Sequence, residues 1–355
     1  MAYTVIDDPS AFFQTVLYNG NAGTQSVVND GGSDLQPDMV WIKCRSGTHA
    51  TENHNLFDSV RGATKFAIPN GNTAGNSTDA NSLTAFDSDG FSLGTRTDVN
   101  GSGAYVGWQW KAGTAFSNDA SATSVGSIDS SGSISTTSGF SIVTWTGSGS
   151  AATIAHGLGA QPQIVFVKNR EDAASWNVYD TINGGAKGMF LNENNGPDSD
   201  TSYFNSGTSS STTFPVGTAN TANGSSDGMM AYSFANVKGY SKIGRYIGNG
   251  NANGTCVFLG FKPAWLLIKP LATGSWRIWD SKREDYDGNH NQTTINGNEA
   301  DAEYDDSSVQ LDFISTGFKV RTSGSDLSGN GTTFLYMAFA EAPLVNSNKV
   351  PNNAE

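Results

Sequence analysis

Three times in this chain a proline stands six residues before a lysine, with an apolar run between them. The copies are Gln36-Pro-Asp-Met-Val-Trp-Ile-Lys43, Gln161-Pro-Gln-Ile-Val-Phe-Val-Lys168 and Phe261-Lys-Pro-Ala-Trp-Leu-Leu-Ile-Lys269. A short run of this kind, rich in β-branched and aromatic residues, reads as a strand buried on both faces. Proline sets the entry turn and lysine marks the exit into a loop. Recurrence at fixed spacing implies one structural unit used three times.

Other residues fall into the same register. Asn55-Leu-Phe57 runs into Asp58, Trp176-Asn-Val-Tyr179 into Asp180, and Trp276-Arg-Ile-Trp279 into Asp280. Each unit closes on an aromatic: Trp110, Phe234 or Phe339. The spacing back to Phe91, Phe214 and Phe318 grows by one residue per unit, as turn-length variation in a shared hairpin would produce. Asn19-Gly20, Asp89-Gly90 and Asn223-Gly224 are hairpin-turn signals.

The expected organisation is all-β: three tandem antiparallel β-sandwich domains, jelly-roll-like or immunoglobulin-like in topology, related by internal repeat. They cover residues 1–111, 139–239 and 240–343. The Ser/Gly-rich stretch 112–138 reads as a linker or a solvated hairpin, and 344–355 as an extended C-terminal arm. Forty-two glycines and only 15% charged residues are poor helix material, while 11% aromatics supply large core side chains.

The net charge of -13 excludes a phosphate-binding surface of the usual basic kind, so no nucleic-acid partner is expected. No stretch reaches the roughly 18 apolar residues of a membrane helix, so no membrane insertion is expected either. Met1-Ala-Tyr-Thr-Val-Ile-Asp-Asp lacks the basic start and apolar run of a signal peptide, which points to synthesis in a cytoplasm. Cys44 and Cys256 lie in different units and read as buried free thiols.

Residues able to do chemistry are scattered. His49, His54, His156 and His290 lack metal-ligand spacing, and the acids at Asp87, Asp89 and from Glu299 to Asp306 lack a complete calcium-loop pattern. The alternating acids read as the wet face of an edge strand. Glu52, Glu193 and Glu299 occupy comparable loops, but none has a second acid with which to cleave a glycoside. Asp58/Arg61 and Asp280/Arg283 read as turn devices, the Asp accepting backbone N–H groups and the Arg pairing with it. No catalytic residue, metal or cofactor is expected. Trp41, Trp108, Trp110, Trp265 and Trp279 sit inside strand patterns as core; Trp145 and Trp176 are the two left as candidate ligand-stacking residues. Any binding specificity would lie in the loops after Lys43, Lys168 and Lys269, which differ in length and charge.

Several stretches carry a family resemblance. Tyr3-Thr-Val-Ile-Asp-Asp-Pro-Ser-Ala-Phe-Phe-Gln-Thr-Val-Leu-Tyr18, Asp58-Ser-Val-Arg-Gly62, Phe86-Asp-Ser-Asp-Gly-Phe91, Ala338-Phe-Ala-Glu-Ala-Pro343 and Asn346-Ser-Asn-Lys-Val-Pro-Asn-Asn353 resemble structural proteins of marine tailed bacteriophages. The resemblance spans the chain and carries no catalytic residues. It implies a virion protein, assembled in the host cytoplasm and placed on a tail fibre, tail tip or capsid surface. Its partners would be other virion proteins and a host-surface glycan, engaged by a homo-oligomer, with trimers common in such positions. The alternative from another class is a polysaccharide-degrading tail enzyme.

Overall fold

The computed structural model describes residues 4–283 and 290–351. Tyr3 and Asn352-Asn353 of the phage-like motifs, and the end of the C-terminal arm, lie outside the described residues. The described chain is dominated by antiparallel strands, with helices of only three or four residues.

Three large sheets carry the fold, and all three use one strand order. In the first, the opening strand Phe13–Gly20 pairs with the closing strand Gly103–Trp110. The closing strand pairs with Met39–Gly47, then come Asn55–Asp58 and Lys65–Ala67. In the second, Phe140–Thr146, Gly228–Ala235, Pro162–Asn169, Asn177–Asp180 and Met189–Phe190 follow in that lateral order. In the third, the order is Ser241–Ile247, Thr333–Pro343, Phe261–Pro270, Arg277–Asp280 and Thr293–Asn296. The Pro-to-Lys strand is therefore central in each sheet. Its prolines fall outside the ladder or at register shifts, at Pro162/Ile164 and around Pro263, where a missing N–H does least harm.

Side chains alternate along these strands and split the core in two directions. Val40, Ile42 and Cys44 pack outward under a small sheet formed by Gln25–Val27, Gly90–Leu93 and Leu83–Asp87. Val165 and Val167, and likewise Leu266 and Ile268, do the same in their own sheets. The inward residues Met39, Trp41, Ile164, Phe166, Trp265 and Leu267 belong to a single cluster shared by all three sheets. The large sheets thus form three walls around one central core. At its heart the closing aromatics meet as a triangle: Trp110–Phe339 at 5.7 Å, Trp110–Phe234 at 6.3 Å and Phe234–Phe339 at 5.8 Å between ring centroids. Each such edge-to-face pair adds about 0.5–1.5 kcal/mol beyond area burial. A void of only ≈ 10 Å³ remains among Met39, Trp41, Phe166, Trp176, Tyr232 and Met337, which is close packing.

Several local expectations are corrected. Asn19-Gly20 is not a turn; it continues the opening strand opposite Ala104 and Gly103. Asn223-Gly224 is not a hairpin turn either. Phe91, Phe214 and Phe318 lie in the small sheets, and the helices Thr97–Asn100, Asn220–Asn223 and Ser325–Ser328 carry the chain across to the closing strands. The stretch 112–138 is not a linker but, as its other reading had it, a hairpin: strands Thr114–Asn118 and Ser130–Ser135 pair with each other and extend the second large sheet beyond its opening strand. Cys44 is buried but Cys256 is exposed, because in Cys256–Phe258 the alternation gives the core position to Val257.

Candidate functional site: the three seams around the central core

The lysines that end the Pro-to-Lys strands are fully buried, not exits into solvent. Two-residue periodicity puts each on the inward face, where its ammonium donates to backbone carbonyls of the following loop. Lys43 Nζ reaches Cys44 O at 2.8 Å and also Ala50 O; Lys168 Nζ reaches Ala174 O; Lys269 Nζ reaches Pro270 O at 2.9 Å and Ala272 O at 3.0 Å. Burial pushes all three amines down to about 8. They tie down the very loops in which specificity was expected.

Four residues before Asp58, Asp180 and Asp280 stand His54, Trp176 and Trp276. Each points a ring nitrogen across a seam. Trp176 Nε1 donates to Ile68 O of the first sheet at 2.9 Å, and Trp276 Nε1 to Phe190 O of the second at 2.9 Å. His54 Nε2 lies 3.1 Å from Asn296 O of the third. The three contacts close a ring: second to first, third to second, first to third. An asparagine holds each donor from behind, with Asn70, Asn192 and Asn298 side-chain oxygens accepting the backbone N–H of His54, Trp176 and Trp276.

The aspartates form the next layer. Asp58 accepts the Arg61 N–H at 2.8 Å and Arg61 Nε at 2.5 Å, so the expected turn device is present. It also spans a seam, since Tyr232 of the second sheet donates its hydroxyl to Asp58 Oδ2 at 2.6 Å. Arg61 donates onward to Leu56 O and Gly75 O. Gly75 is needed there, because a Cβ would fall 2.8 Å from the Lys168 side chain. Asp280 accepts Arg283 Nε at 2.6 Å and Trp108 Nε1 of the first sheet at 2.9 Å. Arg283 Nη1 then meets Glu303 at 2.9 Å, and Glu303 also holds Arg45 of the first sheet at 2.8 Å. Asp180 differs: Ile182 N–H, Asn183 N–H and Asn183 Nδ2 donate to it, all from its own turn. Burial raises its carboxyl above the usual range.

Among the described residues, one surface groove lies along a seam and another within a single sheet. One of ≈ 500 Å³ lies between the first and third sheets, with Thr15, Asp30, Lys262, Lys282 and Glu341 on its walls. The other, ≈ 390 Å³, is formed in the second sheet by Asn118, Asp119, Asp129, Thr144, Trp145 and Arg170. Trp145 is only 5% exposed and its Nε1 is bound to Asn223 Oδ1 at 3.0 Å. Trp176 is fully buried. Neither candidate stacking residue presents a free ring face, because each indole fills a core position and satisfies its N–H inside the protein. The five tryptophans read as core are buried.

The remaining candidates are dispersed. His156 is buried, with its ring between Ser210 O and the Leu158 N–H, and burial lowers it to about 4. His49 sits 3.8 Å from Glu52. Among the described residues no cluster of three or more His, Cys, Asp or Glu side chains has metal-holding geometry. No described helix is long and apolar enough to cross a membrane. The cross-seam roles of His54, Tyr232, Trp108 and Glu303 were missed by local reading; the one available signal was that His54, Trp176 and Trp276 share a place four residues before an aspartate.

No curated protein matches the chain. A family model for a domain of unknown function matches residues 8–343, which takes in all three large sheets and all three seams. The chain therefore belongs to the DUF7483 family.

Proposed function

We propose that this protein is a non-catalytic structural component of a phage particle, at a tail fibre, tail tip or capsid surface. It works as a rigid three-walled block whose outer loops and grooves make repeated, weak contacts with neighbouring virion proteins and host glycans. The carrying observation is the use made of its buried polar side chains: the lysines, His54, Arg61, Arg283 and their aspartates are bound to backbone or to one another across seams. Side chains with chemical potential are committed to holding walls together. The motif resemblance supplies the virion context.

On this reading each wall, with the small sheet outside it, is one β-sandwich unit repeated three times. The hairpin 114–135 is an addition to the second unit, and the ≈ 390 Å³ groove beside it is where a sugar would be met by Asp119, Arg170 and the edge of Trp145.

Immunogold labelling of purified particles tests the assignment; label confined to host lysate and absent from particles would overturn it. Incubation of the purified protein with host envelope polysaccharide tests the non-catalytic part. Released oligosaccharide would favour the tail-enzyme alternative instead.

A further inference from the structure

Of the three ring donors that close the seams, two are indoles, which cannot titrate near neutral pH, and one is an imidazole. His54 is fully buried, and its ring is held at both nitrogens. Trp41 Nε1 donates to Nδ1 at 2.8 Å, so Nδ1 is the acceptor and Nε2 carries the single proton toward Asn296 O. Only the neutral imidazole satisfies both partners. A second proton on Nδ1 would set two N–H donors against each other, with no acceptor between them.

The surroundings oppose that proton as well. The cations facing the ring are Lys43, on the adjacent Pro-to-Lys strand, and Arg283, from the turn in the third sheet. The carboxylates nearby serve those cations: Glu52 and Asp301 act on Lys43, while Asp280 and Glu303 are paired with Arg283. Burial first, then Lys43, outweighs the backbone hydrogen bonds to Asn296 and Glu299 that favour the charged ring, and holds the imidazole well below its ordinary range.

The partner of the ring leads into the rest of the same seam. Trp41 stands edge-on to Trp108 at 5.8 Å, and Trp108 donates to Asp280, which holds Arg283 and through it Glu303 and Arg45. Displacing Trp41 disturbs the contacts that join the first sheet to the third.

We propose that the seam between the first and third sheets is an acid-operated latch: a proton on His54 Nδ1 expels the Trp41 N–H and leaves a buried cation beside Lys43 and Arg283, which is relieved when the ring moves out to water, opening this seam while the two tryptophan-sealed seams stay closed. The latch is fully closed above the unfolded value of about 6.5 and weakens as pH falls below it, because the open state takes up a proton that the closed state refuses. For a closed state that stays unprotonated, the opening constant rises about 30-fold between pH 7.5 and pH 5.

Hydrogen exchange of the full chain, normalised to intrinsic rates at each pH, reads this directly. Peptides containing Asn55–Asp58 and Thr293–Asn296 should lose protection at pH 5, while Met189–Phe190 and Lys65–Ala67 hold theirs. The double change Trp41→Phe with His54→Trp copies Phe166 and Trp176 and should abolish the difference. His54→Gln, which accepts from Trp41 and donates to Asn296 without titrating, should do the same with less repacking. Uniform loss over all three seams, or a pH response unchanged in His54→Gln, would overturn the proposal.

Discussion

The seam between the first and third sheets and the seam between the second and third use the same backbone positions with different chemistry. At the first, Asp280 is buried with Arg283 and receives the indole N–H of Trp108. At the second, the closing-strand position corresponding to Trp108 and Tyr232 is Met337, which has no N–H or O–H to offer. There the aspartate, Asp180, has no arginine three residues on; Asn183 stands in its place. The two losses go together for a physical reason. A buried guanidinium is tolerable only where a charge and acceptors surround it, and a buried carboxylate lacking both cation and neighbour drifts toward its neutral form. Where one partner is apolar, the whole charged device is absent and local amides suffice.

The sharpest break of this comparison is removal of one charge. Arg61→Leu should leave Asp58 buried without its cation and lower stability by about 3–5 kcal/mol in chemical denaturation. Asn183→Leu, at the matching position, removes one hydrogen bond from an uncharged donor and should cost about 1–2 kcal/mol. Equal losses would mean that the aspartates are in the same state. Neutralising the acids gives a second contrast. Asp58→Asn should cost about 3 kcal/mol, since it strands Arg61. Asp180→Asn should cost under about 1 kcal/mol, because burial already favours the uncharged form. The sign in pH follows: a raised folded value makes Asp180 destabilising above it, and that penalty fades as acid protonates the group. The Asp180→Asn protein should therefore compare more favourably with the parent at neutral pH than in acid, as read by urea midpoints at pH 7 and pH 4.

A smaller effect tests the ring of donors. Trp276→Phe keeps the aromatic contact but leaves Phe190 O unpaired, for a loss of about 1–3 kcal/mol. Trp176→Phe should match it at Ile68 O, and a much smaller loss at either would mean that water replaces the indole. A last response is the rise in stability above pH 8. Lys43, Lys168 and Lys269 are lowered to about 8 when folded, so the unfolded chain binds more protons between there and 10.5. Stability should climb over that interval, and Lys168→Met should flatten the climb.

Much of the wall structure was legible in local pattern. The apolar runs from Met39, Ile164 and Trp265 carried their own strand assignment, and period two placed alternate residues on opposite faces. The aromatic endings Trp110, Phe234 and Phe339 were visible as equivalent, but not that they touch one another. Two-residue turn signals misled at Asn19-Gly20 and Asn223-Gly224, where pairing with a distant closing strand and a short crossover helix outweighed local preference. Of the two readings of 112–138 the hairpin holds and the linker does not, because a Ser/Gly-rich chain needs no core of its own when an existing sheet edge supplies its hydrogen bonds.

By itself the sequence determined the all-β class, the three buried central strands and the positions of their lysines and aspartates, since each follows from spacing within a few residues. Tertiary structure alone decided that the three walls share one core, that His54 does the work of a tryptophan, and that Tyr232 and Trp108 complete aspartates more than 170 residues away in the chain. Those contacts depend on which faces meet, and a buried polar atom takes its partner from whatever chain lies within three ångströms, regardless of separation along the sequence.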